Sequence, residues 1–187
     1  MKNSVGEFVT LRPMHIKERF RFFKWATNSE ATPYWYGQRT GDEVPSYIVF
    51  KLEWPDHYFT GEKPKKGQCF AIEESGKTIG QVNYNEIDPK SKSTNLDILI
   101  PEVKFQNRGF GTDAVRILTQ YLFEELDVNK CWAEVNIQNQ RAIRTLKKAG
   151  FTYFHTHEWG GATWHIMELY RSSYLAQEKA ENRKQAV

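Results

Sequence analysis

The chain has 187 residues, 40% hydrophobic and 26% charged, the balance of a globular protein long enough to bury one good-sized core. Its formal net charge of +3 is too small to argue for nucleic acid and merely permits an acidic ligand. No apolar run reaches the length of a membrane span, and the opening MKNSVGEFVTLRP lacks the apolar stretch of a signal peptide. The expectation is a cytoplasmic protein with neither membrane nor nucleic-acid partners, monomeric or homodimeric, with one domain over residues 1–176 and a fraying polar tail over 177–187.

In chain order, Glu7 to Arg12 alternates like a strand, and Pro13 ends it before a helical pattern from His15 to Thr27. Residues 28–67 hold no long pattern: Tyr34-Trp35-Tyr36-Gly37 reads as an aromatic loop, Tyr47 to Leu52 as a short helix, and Gly61 to Gly67 as a basic, proline-containing loop. Such a segment suits a substrate lid. From Gln68, three strands joined by short turns predict an antiparallel meander: Cys69 to Ile72, Thr78 to Tyr84 and Thr94 to Ile100. A glycine turn and a helix from Asp113 to Leu126 follow, then a strand (Lys130 to Asn136) and a helix (Asn139 to Lys148) stopped by Gly150. Two more strands, Phe151 to Glu158 and Thr163 to Tyr170, close the pattern. Cys69 and Cys131 read as buried free thiols, and the five histidines lack metal-ligand spacing.

Gln106-Asn107-Arg108-Gly109-Phe110-Gly111-Thr112 carries the clearest chemical signal. It lies between an apolar run and a helix start, where backbone N–H groups lack intrahelical acceptors and the helix dipole is positive. Gly109 and Gly111 permit positive φ and let an anion approach the backbone. Gly109, Gly111 and Ala114 also satisfy the spacing of a dinucleotide-binding turn, with Glu134 about 20 residues on. Against that alternative, Pro101 to Phe105 separates the strand from the glycines, and the preceding strands form a meander rather than βαβ units. No Gly-Lys-Ser/Thr closes a P-loop.

Gln106-x-x-Gly109-x-Gly111 resembles the acyl-CoA-binding signature, Gln/Arg-x-x-Gly-x-Gly/Ala, of the Gcn5-related N-acetyltransferase superfamily. Asn139-Gln140-Arg141-Ala142-Ile143 followed by Lys148-Ala149-Gly150-Phe151 resembles the next block of that superfamily. With the Val9-Thr10-Leu11-Arg12-Pro13 opening, the resemblance spans nearly the whole chain and is nearest to the aminoglycoside 6′-N-acetyltransferase and ribosomal-protein N-terminal acetyltransferase branches. It implies an α/β (α+β) fold: a mixed, mostly antiparallel, splayed central sheet with helices on both faces, the acyl-CoA N-acyltransferase fold. Acetyl-CoA, as co-substrate, would place its pyrophosphate on the backbone from Arg108 through Gly109, Phe110 and Gly111 to Thr112, with side-chain help from Gln106 and Arg108. The pantetheine arm would pair with Ile98, Leu99 and Ile100 as an added strand. Asn139 would contact the cofactor or cap its helix.

Acetyl transfer needs a neutral amine and a polarised carbonyl. Backbone N–H groups near Leu99 and Ile100 would polarise the carbonyl, and Asp97 is the first choice for a base, with Glu134 across the split the second. Either carboxylate could instead hold a cationic substrate or simply face water. One departure from the family pattern leaves the general acid unassigned: Leu146 stands where many members carry a tyrosine. Trp35 and Tyr36 are expected to bind substrate. Tyr34, Trp54, Asp42, Glu43, Glu53 and Asp56 would add rings and carboxylates suited to an amino sugar or polyamine, countered by Lys63 to Lys66. The expected activity is N-acetylation of a primary amine on a small cationic molecule, aminoglycoside-like most specifically. The alternatives are a protein N-terminus as acceptor, or a non-catalytic acyl-CoA-binding module.

Overall fold

Strand periodicity resolves into one eight-stranded sheet in the computed structural model, which describes residues 4–36 and 44–185. Gly37, Asp42 and Glu43 lie outside the described residues. The strands are β1 (Ser4–Val5), β2 (Thr10–Pro13), β3 (Gln68–Glu74), β4 (Lys77–Tyr84), β5 (Ser93–Leu99), β6 (Lys130–Asn136), β7 (Thr152–Trp159) and β8 (Ala162–Tyr170), in the order β1-β2-β3-β4-β5-β6-β8-β7. Every described pairing is antiparallel except β5 with β6. The helices are α1 (Arg19–Thr27), α2 (Thr32–Trp35), α3 (Tyr47–Glu53), α4 (His57–Thr60), α5 (Phe110–Glu124), α6 (Gln140–Lys148) and α7 (Arg171–Gln185).

Both faces of the sheet are covered, so β3 is buried on both sides rather than alternating with solvent. Phe70 and Ile72 enter a core shared with Leu118 and Leu122 of α5 and Ile143 of α6. Cys69 and Ala71 face the opposite way, into a second core with Phe22 of α1, Phe50 of α3, and Trp54. The Phe22 ring meets Trp54 edge-on at 4.7 Å and Phe50 at 5.2 Å. Each such fully buried ring contributes roughly 1.5–3 kcal/mol. That burial anchors the irregular segment before β3, which has little regular hydrogen bonding to hold it.

Three elements differ from the sequence expectation. Pro13 belongs to β2, opposite Phe70, because β1 pairs only with Thr10 and Leu11 and no bond is lost to its missing N–H. Tyr34 and Trp35 end a short helix, α2, rather than lying in a loop. The polar C-terminal segment is helical to Gln185: Tyr174 packs on Phe123 with ring centroids 5.3 Å apart, and its hydroxyl donates to Glu124 at 2.9 Å.

The feature that makes a site is the parallel joint. β5 meets β6 only through Ser93–Lys130, Thr94–Cys131 and Asn95–Trp132, and from Leu96 onward the two strands part. Leu96 to Leu99 remain paired with β4 on the other side. Their second edge is left open, facing a wedge floored by α5 and α6.

Candidate active site

The wide end of the wedge is a cleft of about 310 Å³ at the N-terminus of α5. Gly109 caps that helix in the left-handed region (φ 88°), preceded by Asn107 at φ 57°. The first intrahelical bond runs from the Asp113 N–H to the Gly109 carbonyl at 3.0 Å, so the N–H groups of Phe110, Gly111 and Thr112 have no intrahelical acceptor. A Cβ on Gly111 would sit 3.4 Å from Thr145 Cγ2 and 3.5 Å from Ile98 Cδ1, so its absence keeps the cleft floor open. Ile98, Leu99 and Ile100 form the strand side. Arg141, Arg144, Thr145 and Lys148 form a basic wall on α6.

Gln106 also lines the cleft, with Nε2 donating to the Ile100 carbonyl at 2.9 Å. Its Oε1 is buried without a partner among the described residues, an acceptor left for a ligand N–H or hydroxyl. A phosphate-sized cradle, a basic wall, an open strand edge and an orphan acceptor together fit the diphosphate and amide-bearing arm of an acyl-CoA.

Beyond the cleft lies a smaller cavity of about 80 Å³ bounded by Asp97, Glu134, Trp164 and Leu146. Tyr34, Trp35, Ile98, Asn139 and Ala142 border both spaces, so the two are contiguous. Asp97 is half-buried, and its Oδ2 accepts from Asn83 Nδ2 at 3.1 Å and Asn85 Nδ2 at 3.3 Å. Asn85 Oδ1 in turn accepts the Tyr58 hydroxyl at 2.9 Å. Burial holds the Asp97 carboxyl above the ordinary aspartate range; the two amide hydrogen bonds pull it back, and the charge of Glu134 pushes it further up. Glu134 Oε1 lies 2.6 Å from His157 Nε2.

The geometry sorts the expected residues. Ile98, Leu99, Ile100, Gln106, Gly109, Gly111, Thr112 and Asn139 line the cleft; Asp97 and Glu134 line the cavity; Trp35 lines both. Asn139 caps α6, its Oδ1 accepting the Ala142 N–H at 3.1 Å.

Others are displaced. The Arg108 guanidinium lies over the Phe110 ring at 5.0 Å, and neither residue lines the cleft: the Phe110 side chain fills the first core, leaving only its N–H at the cradle. Tyr36 borders neither space, because its hydroxyl donates to Glu53 at 3.2 Å. Asp56 binds Arg19 at 2.6 Å, Trp54 is buried, and none of the lysines from Lys63 to Lys66 lines either space. Sequence reasoning assigned no role to the basic wall, although Arg141, Arg144, Thr145 and Lys148 recur at helical spacing, or to Asn83, which sits on β4, and Asn85, just past its end. Among the described residues no group of three or more His, Cys, Asp or Glu could hold a metal ion, and no helix is long and apolar enough to cross a membrane.

A cleft suited to an anion, contiguous with a carboxylate-lined cavity, has the arrangement a group-transfer site needs. The chain belongs to the acetyltransferase (GNAT) domain family, whose model matches residues 9–152, and is accordingly an acetyltransferase. It is 28% identical over 145 residues to the spermidine N(1)-acetyltransferase of Escherichia coli (strain K12), covering 77% of this chain and 73% of that one. It is also 28% identical over 155 residues to an aminoglycoside N(6′)-acetyltransferase type 1 of Klebsiella pneumoniae, covering 78% and 75%. The same fold occurs in aminoglycoside acetyltransferase AAC(6′)-Ib bound to coenzyme A and kanamycin, with a TM-score of 0.72, 20% identity and coverage of 91% and 99%. It occurs again in spermidine N-acetyltransferase from Vibrio cholerae bound to CoA and spermine, with a TM-score of 0.73, 20% identity and coverage of 89% and 98%.

Proposed function

We propose that the protein transfers the acetyl group of acetyl-CoA to a primary amine of a small cationic molecule, with an aminoglycoside-like amine the most specific choice and a polyamine next. The observation that carries this reading is the pairing of Asp97 and Glu134 in one cavity, directly joined to the donor cleft. Two carboxylates in a cavity also lined by Trp35 and Trp164 suit an acceptor with more than one positive centre. Relatives that act on spermidine and on aminoglycosides point the same way.

Acetyl-CoA supplies an activated acyl group; the residues of this chain hold it and manage protons. The first-turn N–H groups of α5 and the basic face of α6 bind its phosphates. The open edge of β5 takes its arm, and backbone N–H groups near Leu99 and Ile100 stabilise the developing oxyanion. Asp97 takes the proton from the attacking nitrogen. Its pKa, raised by burial, brings it closer to the working range of a general base. Both amides converge on Oδ2, so Oδ1 is the oxygen left for that proton. Glu134, exposed and paired with His157, serves as a second anchor for positive charge.

A thiol-release assay against an aminoglycoside, spermidine and an alanine-terminated peptide tests the reading. Saturable release is expected with the polycationic small molecules and not with the peptide. Release with the peptide alone would transfer the activity to protein N-termini. No release with any acceptor, while acetyl-CoA still raises the melting temperature, would make the chain a binding module.

A further inference from the structure

Balanced acetyl transfer moves two protons. A C–N bond forms and a C–S bond breaks; the nitrogen gives up a proton, and the departing sulfur gains one. Asp97 accounts for the first proton, and nothing described so far accounts for the second. Sulfur is the atom that joins donor arm to acyl group, so it must lie where the donor cleft meets the acceptor cavity. Among the described residues, five border both spaces: Tyr34, Trp35, Ile98, Asn139 and Ala142.

Four of them carry no usable proton. Ile98 and Ala142 are apolar, the Trp35 indole N–H is not acidic in water, and the Asn139 carbonyl oxygen is committed to the Ala142 N–H. Among these five, Tyr34 alone has an ionisable hydroxyl. Its side chain is half-buried, and no described residue hydrogen-bonds its hydroxyl. Its position is well supported. The Tyr34 N–H donates to the Ala31 carbonyl at 3.0 Å, and the next residue, Trp35, packs edge-on against Phe22 with centroids 5.7 Å apart. Arg141, Arg144 and Lys148 line the same cleft.

We propose that Tyr34 is the general acid that protonates the departing CoA thiolate. As the C–S bond breaks, its electron pair stays on sulfur and the phenolic proton moves to it. The phenolate regains a proton from solvent, and Asp97 releases the proton it took from nitrogen. The assignment rests on the acetyl-transfer reading above and places the acid on α2, away from the Leu146 position on α6.

Tyr34→Phe removes one unbonded hydroxyl, so the melting temperature should not change. With wild type and variant both saturated in donor and amine, kcat should fall about 100-fold, KM for acetyl-CoA should stay within twofold, and the basic limb of the kcat–pH profile should vanish. A second readout needs no turnover: the thiol of bound CoA is titrated by its ultraviolet thiolate absorbance. A phenol donating to sulfur stabilises the thiolate, so Tyr34→Phe should raise the bound thiol's pKa by about one unit, a tenfold change in thiolate fraction at fixed pH. A variant that turns over like wild type, or that loses only acetyl-CoA affinity while keeping the basic limb and the thiol titration, overturns the assignment. Wild-type protein that releases no thiol with any amine sinks the acetyl-transfer reading, and this assignment with it.

Discussion

As the proposed base, Asp97 is under two opposed demands. A base at the acceptor site works best desolvated, yet desolvation makes its charged form costly to keep folded, which is why burial is the largest influence on its pKa. Because the folded pKa lies above the unfolded one, the penalty is borne in full above the folded value and vanishes below the unfolded value. Asp97→Asn should therefore lower kcat by 10²-fold or more and raise the melting temperature at pH 7, the thermal gain disappearing as the pH falls through the carboxylate range. Equal melting temperatures at pH 7 would show that Asn83 and Asn85 fully offset the burial. Gly111 tests the donor side. A bare Cβ would fit, at 3.4 Å from Thr145, but the branches of valine would enter the cleft. Gly111→Val should weaken acetyl-CoA binding by tenfold or more in calorimetry while the fold persists, and unchanged affinity would remove the α5 cradle from the mechanism.

At the scale of elements, α5 owes its placement to a contact far away in sequence. The Asp113 carboxylate, in the first turn, accepts the backbone N–H groups of Glu7, Phe8 and Val9 at 3.2, 2.8 and 2.9 Å. Gly6 passes so close that a Cβ there would lie 2.4 Å from that carboxylate, and the Phe8 ring reaches Gly109. Asp113→Ala would strand three donors, at least one of them fully buried, and should cost about 2–4 kcal/mol in denaturant unfolding. A loss below about 0.5 kcal/mol would mean that water satisfies them.

Such distances explain what was legible in the sequence. The cradle was readable because a glycine turn and a helix start are local, as was the β3–β4 hairpin, where Ser75 and Gly76 both take positive φ. Asp97 and Glu134 could be named from their strands, but the Asn85 and Asn83 amides that tune Asp97 lie 12 and 14 residues away, and the His157 partner of Glu134 sits on another strand. Arg108 and Tyr36 fall outside both spaces for a related reason. Residue type and neighbourhood suggested a ligand, whereas the Phe110 ring and the Glu53 carboxylate had already engaged them.

For the molecule as a whole, the sheet is two antiparallel plates, β1–β5 and β6–β8, joined through three residue pairs. A donor lying against the open edge of β5, with its phosphates on α5 and α6, ties the first plate to α6, the helix that follows β6. Saturation at about 100 times Kd stabilises whatever must stay assembled to bind by about 2.7 kcal/mol. Amide hydrogen exchange should therefore slow about 100-fold across β6, β8 and α6 when CoA is added, well beyond the residues it touches. Protection confined to the first turn of α5 would show that the plates open independently of the ligand. The short joint thus makes the donor mortar as well as reagent: the shared core holds the two plates together, and the donor braces the wedge that their parting strands leave open.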